Sequence, residues 1–352
     1  MSKSLSAKLA LLLLGFILLV ALSASGWTYY VLNTPQSHNK ANEYISIPKG
    51  TPTQEVVNLL YEAGIIKSPW PLLAYLKLRG LGPGLKAGDY RFPSPITPLQ
   101  TISKLREGQQ KSVKLTIIEG WTRWDIAQAL TRVPELGLKD SAQALALKNN
   151  TGKIKDLDPQ AENLEGYLYP DTYFLPVETT PQEIINLLVN RTRRELNSDK
   201  VNLARRQNLT PRQLLTIASL IETEAKLSAE RPLVASVIFN RLKRGIPLGI
   251  DSTVIYAAKI AGKWKNDGKV YQSDLARISP YNTRLVQGLP PGPIASPSAA
   301  SIDAVLHPAQ TSYLYYVRNP DRNDGAHNFY NNDADFARGV QALRAWEQAH
   351  KE

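Results

Sequence analysis

Apolar residues run without a charge from Leu9 to Leu32, and Pro35 opens a polar segment beyond them. A run of that length predicts a helix able to cross a bilayer, which needs roughly 20 residues. Trp27, Tyr29 and Tyr30 fit an interfacial aromatic belt, and Lys3 and Lys8 precede the run, so the positive-inside rule directs everything from Asn33 onward out of the cytoplasm. The most apolar part, Leu9 to Leu22, is also short enough for a secretory signal, and Ala21 to Gly26 offers small residues to a peptidase. An uncleaved anchor, 9–32, behind a short tail, 1–8, and ahead of a linker, 33–41, is the reading adopted.

Beyond the linker the pattern becomes an apolar strand, a Gly-containing turn and an amphipathic helix. Ile47 to Leu60 and Ile117 to Leu130 align on Gly50 with Gly120, Glu55 with Asp125 and Leu60 with Leu130; a looser copy runs from Tyr90 to Leu105. Such modules pack helices on a small sheet and predict an α+β region over 42–150, serving as a spacer or a carbohydrate-binding part. A polar loop, Lys148 to Asp158, then leads into a second domain, 151–348. Leu164 to Phe174 sets aromatics beside acids, a pattern shared by sugar-gripping edges and plain core.

In the second domain, Thr210-Pro211-Arg212-Gln213 reads as a capping box with Pro at the first helical position. The helix it starts places Leu214, Ile217, Ala218, Ile221 and Ala225 on one face. At about 100° per residue, Glu222 and Glu224 border that stripe on opposite flanks, so they are separate groups rather than a pair on one target. One of them is a candidate lone general acid, although Glu222 also precedes Lys226 by four residues, the spacing of a solvated ion pair. Further helices are predicted over Pro181 to Asn197, over Arg231 to Gly245 with Val234, Val237, Ile238 and Leu242 buried, and briefly from Asp251-Ser252. Tyr313 to Val317 reads as a strand, and the Gly and Pro density near 288–294 argues for ordered loops around a cleft.

Length and composition bound the rest. The 352 residues, 43% hydrophobic, suffice for two domains, and a net charge of +11 implies an anionic partner. No nucleic-acid motif accompanies that charge, which leaves headgroups and cell-wall polymers. The chain has no cysteine, which excludes disulfides, thiolate catalysis, Cys-ligated zinc and a lipid-modified Cys. Its four histidines, His38, His307, His327 and His350, are too dispersed for a local metal motif, and no cofactor is expected.

Several motifs occur together in order: Leu85 to Phe92, Leu164-Glu165-Gly166-Tyr167 with Pro170-Asp171-Thr172, Ala218 to Glu224, Asn240-Arg241-Leu242, Asp251 with Thr253 to Tyr256, Tyr281-Asn282-Thr283, Gly288 to Ile294 and His307-Pro308. In these the chain resembles the endolytic murein transglycosylase family, also called YceG-like. The resemblance implies a single-pass enzyme of a bacterial inner membrane with a periplasmic LysM-like α+β subdomain and a larger, mixed α/β catalytic domain. It places the family's catalytic glutamate on Glu222 and implies a cleft that includes Glu165, Glu224, Asn240, Asp251, Tyr256, Tyr281, Asn282 and His327. Where relatives read Gln and Pro, this chain has Gly249 and Ser252, so a sugar contact from that turn is in question.

The implied reaction needs one carboxylate: it protonates the oxygen between N-acetylmuramic acid and N-acetylglucosamine, and the sugar's own 6-hydroxyl attacks, leaving a 1,6-anhydro end. Intramolecular attack supplies its own proximity. The alternatives are a muramidase using water, with Asp251 or Glu165 as the second carboxylate, and a wall-binding scaffold without catalysis. The resemblance also implies peptidoglycan synthases as partners, and no nucleic acid.

Overall fold

The computed structural model describes residues 2–41, 43–108, 112–147, 149–176 and 179–350. Asn42 and Lys148, the first residues of the α+β region and of the polar loop expected from sequence, lie outside the described residues. The chain divides into two compact units, Met1–Ser112 and Val113–Glu352.

The first unit begins with helix α1 (Ser2–Asn33), whose segment Leu12–Asn33 is long and apolar enough to cross a membrane. The stretch after it is fastened rather than loose. Gln36 exchanges backbone hydrogen bonds with Ile96, at 2.8 and 3.1 Å, and its side-chain oxygen accepts from the Lys67 amide at 2.6 Å. Strand β1 (Ile45–Ile47), helices α2 (Thr53–Glu62) and α3 (Pro69–Arg79), strand β2 (Gly88–Tyr90) and helix α4 (Pro98–Glu107) follow. The two strands pair antiparallel, Ile45 opposite Tyr90. Val57, Leu60, Leu72, Leu76, Tyr90, Phe92 and Leu105 are shut off from solvent in one core.

The second unit is mostly helical. Strand β3 (Ser112–Ile117) pairs with β4 (Asp171–Pro176), and between them lie α5 (Arg123–Thr131) and α6 (Ser141–Leu147). Helices α7 (Pro181–Glu195), α8 (Ser198–Arg206), α9 (Pro211–Glu224), α10 (Arg231–Lys243), α11 (Asp251–Ile260), α12 (Gln272–Leu275) and α13 (Ala299–Leu306) come next. An antiparallel hairpin, β5 (Tyr315–Arg318) with β6 (His327–Tyr330), and helix α14 (Asp333–Ala349) end the unit. Its strands form two small ladders rather than one central sheet, so the unit is α+β and not the mixed α/β expected. Side chains from β3, α5 and α6 belong to the core built around α9, and the boundary falls at Ser112, not near 150. Leu115, Ile117, Ile126 and Leu130 bury their apolar faces there, which fixes the assignment.

Helix α9 starts as its residues dictate: Thr210 accepts from the Gln213 amide and Gln213 returns the bond, with Pro211 at the first turn. The predicted stripe is buried, and so are Leu215, Thr216, Ser219 and Leu220. Helices α8, α10, α11 and α13 all pack against it, so α9 is enclosed on most sides.

Candidate active site

Residues Glu119-Gly120 form the turn that leads from strand β3 into α5. Gly120 takes φ +76°, a conformation that favours glycine. Its amide donates to Ser296 O at 2.9 Å, and the Ser296 amide donates to Trp121 O at 2.8 Å, clipping the turn to the loop that enters α13. A Cβ at Gly120 would stand 3.9 Å from Glu222 Cγ, so this turn forms a wall beside the last turn of α9.

Glu222 is held from two further directions. Arg231 Nη2 donates to its Oε1 at 3.1 Å, with the Glu222 side chain only 5% exposed. The Ser298 amide donates to Oε2 at 2.8 Å, and the Ser298 hydroxyl donates to the same oxygen. Ser298 is the N-cap of α13, where backbone N–H groups and the helix dipole favour an anion. Lys226 is not the partner of Glu222, and the apolar flank suggested by helical periodicity is occupied by Arg231 and Ser298. The cation comes from the next helix in sequence, which spacing within α9 could not show.

Glu119 directly precedes Gly120 in the same turn. Burial and the neighbouring charge of Glu222 push its carboxyl upward, opposed by Arg231. The two carboxylates proposed from sequence as a second acid are engaged by other partners. Asp251 is exposed and paired with Arg284 at 2.6 Å. Both Glu165 oxygens accept from the Arg123 amide, at 3.0 and 3.1 Å, and Oε2 also accepts from Tyr256 Oη at 3.0 Å. Glu165 thus caps the start of α5 from within the core.

Glu224 points to a different set of groups, as its place on the helix requires. Tyr316 Oη donates to it at 2.9 Å and Ser252 Oγ at 3.2 Å. Burial raises its carboxyl above the ordinary range, with those two hydrogen bonds opposing. Ser252, the departure from the family pattern, therefore reaches the end of α9 through its hydroxyl. His327 stands edge-on to Tyr316, its Nδ1 2.7 Å from Glu230 Oε2 and its amide donating to Glu230 Oε1 at 2.8 Å. Glu230 directly precedes Arg231, so His327 braces the turn that aims Arg231 at Glu222.

The remaining candidates hold loops. Asn240 donates to Thr311 O and Tyr313 O, both at 2.9 Å, and fixes the approach to β5. Asn282 is fully buried and donates to Leu275 O and Arg277 O. Tyr256 and Tyr281 stack obliquely, 4.9 Å apart, behind the cleft. Among the described residues no cluster of three or more His, Asp or Glu is arranged to hold a metal ion. A cleft of about 160 Å³ opens beside Glu222, walled by Gly120, Thr122, Asp125, Thr223, Ser252 and Lys259 among others.

Fold and site together define an α+β protein in which an enclosed glutamate is gripped by an arginine and a helix N-terminus, next to a cleft walled by Gly120 and Thr223. The YceG-like family model matches residues 45–342, and the chain belongs to that family. It is 33% identical over 300 residues to the endolytic murein transglycosylase of Bacillus subtilis (strain 168), an alignment covering 82% of this chain and 81% of that protein. The protein of the same name from Streptococcus pneumoniae serotype 2 is 29% identical over 93% of this chain, which spans only 64% of that longer relative. A crystal structure of a yceG-like protein from Listeria monocytogenes superimposes with a TM-score of 0.57 at 29% identity, covering 84% of this chain and 98% of that one.

Proposed function

We propose that the chain is a membrane-anchored endolytic lytic transglycosylase that cuts nascent peptidoglycan strands at the bond between N-acetylmuramic acid and N-acetylglucosamine. The observation that carries this reading is the enclosed carboxylate of Glu222, held between Arg231 and Ser298 beside the cleft. Glu222 gives its proton to the glycosidic oxygen, and Arg231 with Ser298 then stabilises the carboxylate left behind. The muramic acid 6-hydroxyl closes on its own anomeric carbon, breaking the bond to the leaving sugar. Its proton returns to Glu222, and the new end is a 1,6-anhydro sugar. No water is consumed and no second carboxylate forms a bond.

A hydrolase reading has one observation in its favour, the charge of Glu119 near Glu222. Product termini separate the two. Mass spectrometry of uncrosslinked strands treated with the wild type, Glu222→Gln and Glu119→Gln is the test. The transglycosylase predicts anhydromuramic ends from wild type, the same ends at reduced yield from Glu119→Gln, and none from Glu222→Gln. Reducing ends, with both variants equally inactive, would establish hydrolysis instead.

The apolar segment Leu12–Asn33 supports an anchor in the bacterial inner membrane with the catalytic unit in the periplasm, beside strands as synthases extend them. Peptidoglycan synthases are the partners this placement favours. The order β1, α2, α3, β2, with its two strands paired antiparallel, supports a LysM-like subdomain in the first unit.

A further inference from the structure

The cleft beside Glu222 does not end at Lys259. Asp125 and Lys259, whose charged atoms lie 3.5 Å apart, line both that cleft and a second, larger hollow of about 600 Å³. The hollow lies between α5 and α6 on one side and the end of α11 on the other, with Trp124 and Trp264 in its walls. Successive turns of α11, at Ser252, Ile255 and Lys259, form a continuous floor; seven residues of helix carry it about 10 Å from the turn that touches Glu224.

The walls have the chemistry of a sugar site. Trp124 is fixed, with the Arg123 guanidinium 4.5 Å from its ring centre and Tyr256 at 5.4 Å. Trp264 follows α11, is half-buried and lies outside the hydrophobic core. An indole of that kind offers a rigid apolar face to the C–H face of a pyranose, while Gln128 and Asn266 supply the amide donors and acceptors that hydroxyl and N-acetyl groups require. Thr122 and Lys259 hold Asp125 below its ordinary range despite its burial, so the waist between the two hollows keeps its negative acceptor.

We propose that the Trp124–Trp264 hollow is a distal saccharide subsite that binds the glycan strand beyond the sugars being cut, with Trp264 as its stacking platform. The proposal rests on the transglycosylase reading for the identity of the strand. It gives the enzyme a reason to prefer long strands and internal bonds, because extra sugars along the groove add affinity that a strand end does not.

The test is a binding measurement on the full chain in detergent micelles, with Glu222→Gln as background so that nothing is cut. The probes are long uncrosslinked glycan strands and a tetrasaccharide of the same repeat. Adding Trp264→Ala is expected to lower the ratio of long-strand to tetrasaccharide affinity about tenfold, the loss of one ring contact, and Trp264→Phe to restore most of it. An unchanged ratio overturns the subsite, as does an equal loss with Phe, or no strand binding by Glu222→Gln at all. Failure of the transglycosylase reading shows separately, as the absence of anhydro ends from wild-type protein.

Discussion

Ser298 is the residue around Glu222 with the least presence in the sequence, and it tests the site directly. Its hydroxyl both caps α13, accepting from the Ser301 amide at 3.2 Å, and donates to Glu222. Removing a hydrogen bond to a charged group costs about 1.5–3 kcal/mol, so Ser298→Ala should lower kcat/KM roughly ten- to a hundredfold while Ser298→Thr keeps most of it. Steady-state cleavage of uncrosslinked strands by the two variants checks this. Glu224 makes a different prediction. Burial holds its pKa above the unfolded value, so the folded chain binds that proton more tightly than the unfolded chain does. The resulting stability is present below about pH 4.3, the unfolded value, and is lost as pH rises through the raised folded value. Glu224→Gln should therefore gain on the wild type in thermal midpoint between about pH 4 and pH 7, since the amide oxygen can still accept from Tyr316 while its NH2 donates to the Ser252 hydroxyl. A difference that shrinks with rising pH would contradict the burial argument.

At the scale of elements, what was legible followed from local chemistry. The capping box at Thr210 set the start of α9 to within a residue, because the groups that satisfy it lie three positions apart. Leu214, Ile217 and Ile221 were readable as core for the same reason. The partners of Glu222 were not: Arg231 and Ser298 stand nine and seventy-six positions away, and no periodicity links them to it. Glu165 and Asn282 carried motif weight, and their partners, the Arg123 amide at the start of α5 for Glu165 and the Leu275 and Arg277 carbonyls for Asn282, were not legible because a motif does not record what its residues touch. The Leu164–Tyr167 and Leu289–Pro293 segments show the structural side of this. Asp158 is buried and takes both of its oxygens to Arg212 Nη1 at 2.9 Å, with Tyr167 Oη on one of them. Gly166 sits at φ +77°, where a Cβ would come within 2.4 Å of Pro293. Asp158→Ala should cost about 3 kcal/mol of unfolding free energy, measured by urea denaturation, because it strands the Arg212 charge in a largely buried site. Gly166→Ala should be destabilised as well, through both its backbone and the displaced Pro293.

For the whole molecule, the decisive fact is where the strand–turn–helix repeats went. The copy at Ile47–Leu60 completes the first unit, whereas the copy at Ile117–Leu130 supplies Ile117, Ile126 and Leu130 to the core around α9 and brings Gly120 against Glu222. Sequence similarity between the copies suggested one region over 42–150, yet burial assigns them to different bodies. This gives a prediction about which piece of the chain is self-sufficient. A fragment of residues 113–352 keeps its whole hydrophobic core and both strands β3 and β4, so it should unfold in one cooperative transition and retain cleavage of soluble strands. A fragment beginning at residue 151 lacks β3, α5 and α6. It leaves β4 without its partner strand and Glu165 without the Arg123 amide, and it removes the Gly120 wall from beside Glu222. At roughly 25 cal/mol for each Å² of apolar surface re-exposed, losing several fully buried side chains exceeds the few kcal/mol by which such a domain is stable. The shorter fragment should therefore lack a cooperative melt by calorimetry and lack activity. A well-folded, active 151–352 fragment would return the boundary to the polar loop and separate Gly120 from the catalytic site.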